Sequence, residues 1–307
     1  MSEQSANGGP ENGFRSGFVA VVGRPNVGKS TLVNRLVGQK VSITSPRPQT
    51  TRGPIRGVRN GPGYQAIFVD TPGSQKPRDT LRARMQQQVL HSLSESDAIL
   101  FLLEATQPAD TVGPGDRYVA RLVAESGTPA IACTNKVDLL RTRVEALPII
   151  EAVWELGDWQ EVFPISARSG LNVEPLMEEI IELLPPGPRY FPEGTVTDYP
   201  ESLILAERVR EKALGVLRDE VPHAVAVEIQ EVERKENVTV VYATIHVERA
   251  TQRMIVLGKG GRTIKQIGIE ARRDVERLLG TRIYLDLKVK VSPRWRSDRK
   301  FLERLGL

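Results

Sequence analysis

Gly23-Arg24-Pro25-Asn26-Val27-Gly28-Lys29-Ser30 fits the pattern G-x-x-x-x-G-K-[ST] and follows an apolar run, Phe18 to Val22, that reads as a buried strand. A helix is expected next, from Lys29 to Val37. That context makes the stretch from Gly23 through Thr31 a candidate nucleotide loop. Its glycines let backbone N–H groups approach phosphate oxygens, and the helix that follows turns its positive end toward them. Lys29 supplies a point charge to the outer phosphates, and the Ser30 hydroxyl suits a bridging Mg²⁺.

Outward from this loop, bulk properties set the frame. At 307 residues, two domains are expected, and 40% hydrophobic with 26% charged residues is ordinary for a water-soluble globular chain. The net charge of +4 is unevenly spread: Arg249 to Leu307 carries 16 Lys+Arg against 6 Asp+Glu, a net of +10. Such a block points to a polyanionic partner, nucleic acid or anionic lipid. The single cysteine, Cys133, sits in an apolar strand and reads as core packing, which leaves no intramolecular disulfide and fits a cytoplasmic setting. Residues 1–16 are rich in Gly, Ser, Asn and Glu and are expected to be a disordered tail rather than a signal peptide. No apolar run approaches the roughly 20 residues that span a bilayer, so any membrane contact would be peripheral.

The first half of the chain carries three further motifs. A hairpin of Ile55 to Arg59 and Tyr64 to Val69 leads into Asp70-Thr71-Pro72-Gly73, which places Asp70 at a strand end where it can hold Mg²⁺, directly or through water. The Gly73 N–H can touch a terminal phosphate. After strands at Ala98 to Leu103 and Pro129 to Cys133 comes Asn135-Lys136-Val137-Asp138. A carboxylate at Asp138 accepts from N1–H and the exocyclic amine of guanine, donors that adenine lacks, and such sites can discriminate by ~10⁴. Asn135 can buttress the base and the loop, with the Lys136 stem along the ring. Beyond the strand Val162 to Ile165, Ser166-Ala167-Arg168 offers the Ala167 N–H to guanine O6. A helix from Val173 to Leu184 closes an α/β domain with a doubly wound, mostly parallel sheet.

These elements, in this order, resemble the translation-factor-like GTPases. The resemblance implies that Thr51, in Gln49-Thr50-Thr51-Arg52, completes Mg²⁺ coordination when GTP is bound, with Thr50 as the alternative. Ras-like relatives place a glutamine after D-x-x-G; here Ser74 stands at that place and Gln75 one residue later. A one-residue slip redirects the side chain, so slow intrinsic hydrolysis assisted by another group is expected. In the resembling subfamily an asparagine at the position of Asn26 coordinates K⁺, a charge that replaces an arginine finger. Otherwise Asn26 stabilises the tight turn.

Leu184 to Gly194 holds four prolines in eleven residues, a stiff connector that marks a domain boundary. Beyond it the pattern is helix (201–218), strand (224–232), strand (238–247), helix, Gly258-Lys259-Gly260-Gly261, helix and strand (282–291), with a final helix from Ser297 to Leu305. This order is that of a type II KH domain, an α+β fold in which G-x-x-G admits a nucleic-acid backbone. Lys259, Arg262 and Lys265 are placed to neutralise phosphates, and single-stranded RNA is the expected ligand. Trp295, in Pro293-Arg294-Trp295-Arg296, either stacks a base or caps the core.

The expected organisation is a tail (1–16), a P-loop GTPase domain (17–184), a linker (185–200) and a KH domain (201–307). This combination resembles a family of bacterial GTPases that act in small-subunit ribosome assembly. The resemblance implies a monomer that cycles between GTP and GDP, binds 16S rRNA near its 3′ end on the 30S subunit, and associates in part with the inner membrane. Two alternatives stay open: a membrane-associated signalling GTPase, and a nucleotide-gated RNA-binding module with little turnover.

Overall fold

The computed structural model describes residues 13–74, 79–106 and 112–307. The expectations for residues 1–12 and for Gln75 fall outside those residues. The described chain forms two compact units, one drawn from stretches 1–42, 54–75 and 86–198, the other from 43–53, 76–85 and 199–307.

In chain order the first eleven elements are β1 (Arg15–Gly23), α1 (Lys29–Val37), β2 (Ile55–Gly61), β3 (Tyr64–Asp70), α2 (Thr80–Ser94), β4 (Ala98–Glu104), α3 (Pro114–Ser126), β5 (Ala130–Asn135), α4 (Leu147–Trp154), β6 (Val162–Pro164) and α5 (Val173–Leu183). The strands form one sheet in the order β2-β3-β1-β4-β5-β6, parallel except for β2, which pairs with β3 as a hairpin. Alternation along β1 explains the layers. Val19 and Val21 face a core with Leu32, Leu36, Leu176 and Ile180 from α1 and α5. Ala20 and Val22 face another with Val119 and Val123 of α3 and Val153 of α4. Strands covered on both faces read as continuous apolar runs, as β4 does. Cys133 is fully buried in the first core, and burial pushes its thiol well above the ordinary range, as a packing residue requires.

Two corrections concern the edges of this unit. The described end of the expected tail is ordered: Phe14 is buried and β1 begins at Arg15, because Ser16 and Phe14 bond to Pro185 and Gly187 of the proline-rich connector. That connector is docked, with Val58 N–H donating to Val196 O at 2.8 Å and the Gln65 side chain holding Tyr190 and Phe191 backbone. The strap covers the edge of β2, which would otherwise present unpaired backbone groups. A helix expected around Asp116 to Glu125 is present as α3, whereas, of these first eleven elements, α2 and α4 are absent from the sequence expectations. Leu81, Met85, Val89 and Leu93 recur every four residues along α2, a helical stripe diluted by polar neighbours.

The remaining elements are α6 (Glu201–Val216), α7 (Val221–Ala224), β7 (Ala226–Arg234), β8 (Thr239–Val247), α8 (Ala250–Leu257), α9 (Arg262–Leu279), β9 (Ile283–Val291) and α10 (Arg299–Arg304). Their sheet runs β7-β8-β9, antiparallel then parallel. The alternating Leu285, Leu287, Val289 and Val291 of β9 face a core with Val209, Ala213, Ile267 and Ala271 of α6 and α9. Stretch 43–53 is bonded into this unit: Thr44 N–H donates to Glu211 Oε1 at 2.9 Å, Arg47 to Leu217 O at 3.0 Å, and Arg52 to Val225 O at 2.7 Å. Trp295 is 1% exposed, donates Nε1–H to Ala224 O at 3.0 Å and lies 5.3 Å beneath the Arg52 guanidinium. It caps the core; the base-stacking alternative does not hold, because the ring is buried beside Arg52 and Phe301 and its indole N–H is committed to protein.

Candidate functional site

Parallel strands deliver their carboxyl ends to one edge, and the motif residues gather there. Gly23 ends β1, Asp70 ends β3 in register with Val21, and Asn135 ends β5 in register with Glu104. Between Gly23 and α1 the loop turns through Asn26 at φ 68° and Gly28 at φ 105°. Gly28 admits no side chain, because a Cβ there would stand 2.3 Å from Asn135 Nδ2.

Lys29 is 6% exposed, and its ammonium donates to Gly23 O at 3.1 Å and Arg24 O at 2.9 Å. Burial lowers its pKa to about 8, against the opposing pull of Asp70. Ser30 follows in the first turn of α1. Asp70 is fully buried. A hydroxyl and a carboxylate are hard oxygen donors of the kind Mg²⁺ takes while keeping waters and substrate phosphates as its other ligands, so these residues fit that ion. The Asp70–Gly73 turn is seated on the loop: Ser74 N–H donates to Gly23 O at 3.1 Å, and a Cβ on Gly73 would stand 2.7 Å from Pro25 Cγ. Thr71 donates its hydroxyl to Val21 O at 2.7 Å, which gives it a strut's role in the turn. Pro72 is buried.

The base end is equally pre-arranged. Asn135 donates Nδ2–H to Val27 O at 2.7 Å and accepts the Ala167 N–H on Oδ1 at 2.9 Å, so one amide joins the phosphate loop to the Ser166-Ala167 turn. The Ala167 N–H, expected at guanine O6, is thus committed to Asn135 in this structure. Ser166 donates to Asp138 Oδ1 at 2.6 Å and orients the carboxylate. Lys136, at φ 71°, pairs with Glu104, and burial lowers its pKa. Glu104 and Asp116, which pairs with Arg24, escape a reading of the sequence. Their only sequence signal is an acidic residue after an apolar strand and in a first helical turn. Thr51, at 6% exposure, packs in the second unit with stretch 43–53.

In that second unit the Gly258–Gly261 turn joins α8 to α9, with positive φ at Gly258 (72°), Gly260 (61°) and Gly261 (76°). A run of left-handed positions is open to glycine at little cost and leaves the turn without side chains that would hold a phosphodiester away. Lys259, Arg262 and Lys265 surround it, none of them buried. Met254 and Ile255, at 62% and 48% exposure, lie on α8 just before the turn and carry no motif that would single them out from sequence. Of that apolar run only Val256 reaches the core, which leaves two side chains as an apolar surface suited to bases.

Residues 18–136 match the family described as 50S ribosome-binding GTPase, and residues 220–296 match the KH domain family. GTPase Era of Carboxydothermus hydrogenoformans is 47% identical over 95% of this chain and 98% of its own length. GTPase Era of Mycobacterium avium is 44% identical over 95% and 99%. Among solved structures, Era in complex with MgGDPNP and nucleotides 1506–1542 of 16S ribosomal RNA superposes with a TM-score of 0.92 at 40% identity, covering 95% of this chain and 99% of that one. A point variant of Aquifex aeolicus Era bound to GDP·AlF₄⁻ gives the same TM-score, identity and coverage. With relatives of this identity matched along nearly all of its length, the chain belongs to the Era family of GTPases.

Proposed function

We propose that the protein is a GTP-hydrolysing switch that binds 16S rRNA near its 3′ end through the KH unit and assists assembly of the 30S subunit. The observation that carries this reading is the pairing, in one chain, of a pre-arranged guanine-nucleotide pocket with an open G-x-x-G turn in a stretch of +10 net charge. The Era structure with MgGDPNP and nucleotides 1506–1542 of 16S rRNA supports it.

In this reading the loop N–H groups and Lys29 hold the β- and γ-phosphates and stabilise the charge that develops on them. Asp138, oriented by Ser166 and set beside Asn135, selects guanine, and the Ala167 N–H would leave Asn135 to meet O6 when the base is bound. Ser30 and Asp70 hold Mg²⁺, which neutralises the outer phosphates when bound, and Thr51 completes its shell in the GTP state. Thr51 lies in a stretch that is bonded into the unit carrying the Gly258–Gly261 turn. Asn26 takes K⁺ in the place of an arginine finger. Lys259, Arg262 and Lys265 grip the RNA backbone at Gly258–Gly261. The protein acts as a cytoplasmic monomer, and its basic surface also supports peripheral contact with anionic lipid. Among the described residues no helix is long and apolar enough to cross a membrane.

Crosslinking to RNA in cells with hydrolysis blocked tests the assignment. One sharp peak at the 3′ end of small-subunit rRNA is expected; scattered reads would move the reading to a signalling GTPase. Equal turnover in K⁺ and Na⁺ buffers would remove the cation role of Asn26.

A further inference from the structure

One charged side chain of the nucleotide-binding unit lies outside every motif that defines the site. Asp116, in the first turn of α3, is fully buried, and its Oδ1 stands 2.8 Å from Nε of Arg24, the second residue of the phosphate loop. The Arg24 side chain is 35% exposed, so the pair is buried on its acidic side only. A buried carboxylate costs stability unless cations or hydrogen bonds meet it, and the Arg24 guanidinium is one of the groups that meet Asp116. The contact is therefore an anchor: α3 holds the leading half of the loop from outside the nucleotide pocket. Its geometry is tight. The Arg24 stem crosses α3 at Gly115, where a Cβ would stand 2.4 Å from Arg24 Cδ.

From this anchor to the ligand's charge is a short path. The Arg24 carbonyl is one of the two acceptors that aim the Lys29 ammonium, at 2.9 Å. The next two residues are Pro25, packed against Gly73, and Asn26, in the left-handed turn. An error in Arg24 is thus passed to the lysine that meets the phosphates. The base end is held chiefly by other contacts: Asn135 meets the loop at Val27 rather than at Arg24 and bonds to Ala167, and Ser166 bonds to Asp138, while Arg24 reaches the base motif only through its charge on Lys136.

We propose that Asp116 is a positioning residue for the phosphate half of the site, pairing with Arg24 so that the Arg24 carbonyl holds Lys29 against the β- and γ-phosphates. The inference rests on the phosphate-loop reading above. Its signature is selectivity: the loss falls on ligands with a β-phosphate and spares recognition of the base.

The test titrates GDP and GMP, with Mg²⁺, against the full chain carrying Asp116→Asn. GDP affinity is expected to fall about tenfold, ~1.4 kcal/mol, and GMP affinity by no more than about twofold. Asp116→Glu, which keeps the charge, is expected to restore part of the loss. Should Asp116→Asn fail to fold, Arg24→Gln breaks the pair from its exposed side and must show the same GDP-selective loss. Lys29→Ala separates the two levels of the argument. If it leaves GDP binding intact, the phosphate-loop reading falls; if it abolishes the preference for GDP while Asp116→Asn weakens GDP and GMP equally, or neither, the positioning role of Asp116 is overturned alone.

Discussion

The two glycine loops of this chain do opposite things with the same residue. At Gly23–Ser30 the backbone is enclosed: Lys29 is 6% exposed, Asn135 fills the space over Gly28, and Asp116 holds Arg24 from behind. At Gly258–Gly261 the three cations nearby reach solvent and the neighbouring apolar side chains, Met254 and Ile255, are exposed. The difference follows from the ligands. A nucleotide has one shape and concentrated charge, so a site that is pre-organised and dry gains strength from every fixed dipole. A polynucleotide brings many weakly placed phosphates, and mobile surface cations meet them by counterion release without a fixed geometry.

Four measurements would break or sharpen that contrast. The largest effect is expected at the enclosed loop's base end: Asp138→Asn replaces an acceptor of two donors with a side chain that offers an N–H to one of them. The preference for GDP over its adenine counterpart should collapse by up to ~10⁴, read by competitive titration, with RNA binding unchanged. Next in size, Gly258→Asp with Gly261→Asp places two carboxylates against the RNA backbone. RNA affinity should fall by roughly 100-fold and GDP affinity should hold; a parallel loss of GDP binding would mean the loops are not separable.

The third effect is a pH dependence that belongs to the enclosed loop. Lys29 has a pKa of about 8 in the folded protein against a reference of 10.5. The sign is that of a buried base: below pH 8 the ammonium is present and its burial costs stability, and that cost is relieved as pH rises from 8 toward 10.5. Phosphates need the ammonium, so above pH 8 binding must take up a proton. GDP affinity should be flat between about pH 7, above the ionisation of the terminal phosphate, and about pH 8, and fall toward about tenfold per pH unit above it, and Lys29→Ala should abolish the bend. A flat profile through about pH 9 in the wild type would contradict a dry lysine. The smallest effect lies at the open loop: each of Lys259→Gln and Arg262→Gln should lower the slope of log affinity against log salt by about 0.7, uniformly across RNA sequences.

How much of this is legible beforehand depends on how far apart the interacting residues lie. The phosphate loop, D-x-x-G, N-K-x-D and G-x-x-G are each contiguous, and each encodes a backbone conformation that its own residues impose, so their chemistry can be read in place. Helix α2 escapes although Leu81, Met85, Val89 and Leu93 carry its stripe, because arginine and glutamine between them dilute the contrast on which the reading depends. The connector reads as a stiff domain boundary with no partners assigned, but its backbone groups find partners in β1 and β2 or at Gln65 of β3, which lies 126 positions from Phe191.

By itself, then, the sequence determined two domains of largely known element order, the loop and base motifs of a GTPase, a G-x-x-G turn and the basic stretch around it, since periodicity, glycine positions and local spacing are properties of neighbours along the chain. Tertiary structure alone decided that Asp116 anchors Arg24, that Glu104 meets Lys136, that Trp295 is a core cap, and that Thr51 packs with the RNA-binding unit. Glu104 and Lys136 are 32 positions apart, and Arg52 and Val225, which fix the stretch holding Thr51, are 173 apart. A side chain's partner across such a span is set by the packing of the layers between them rather than by anything in its own neighbourhood.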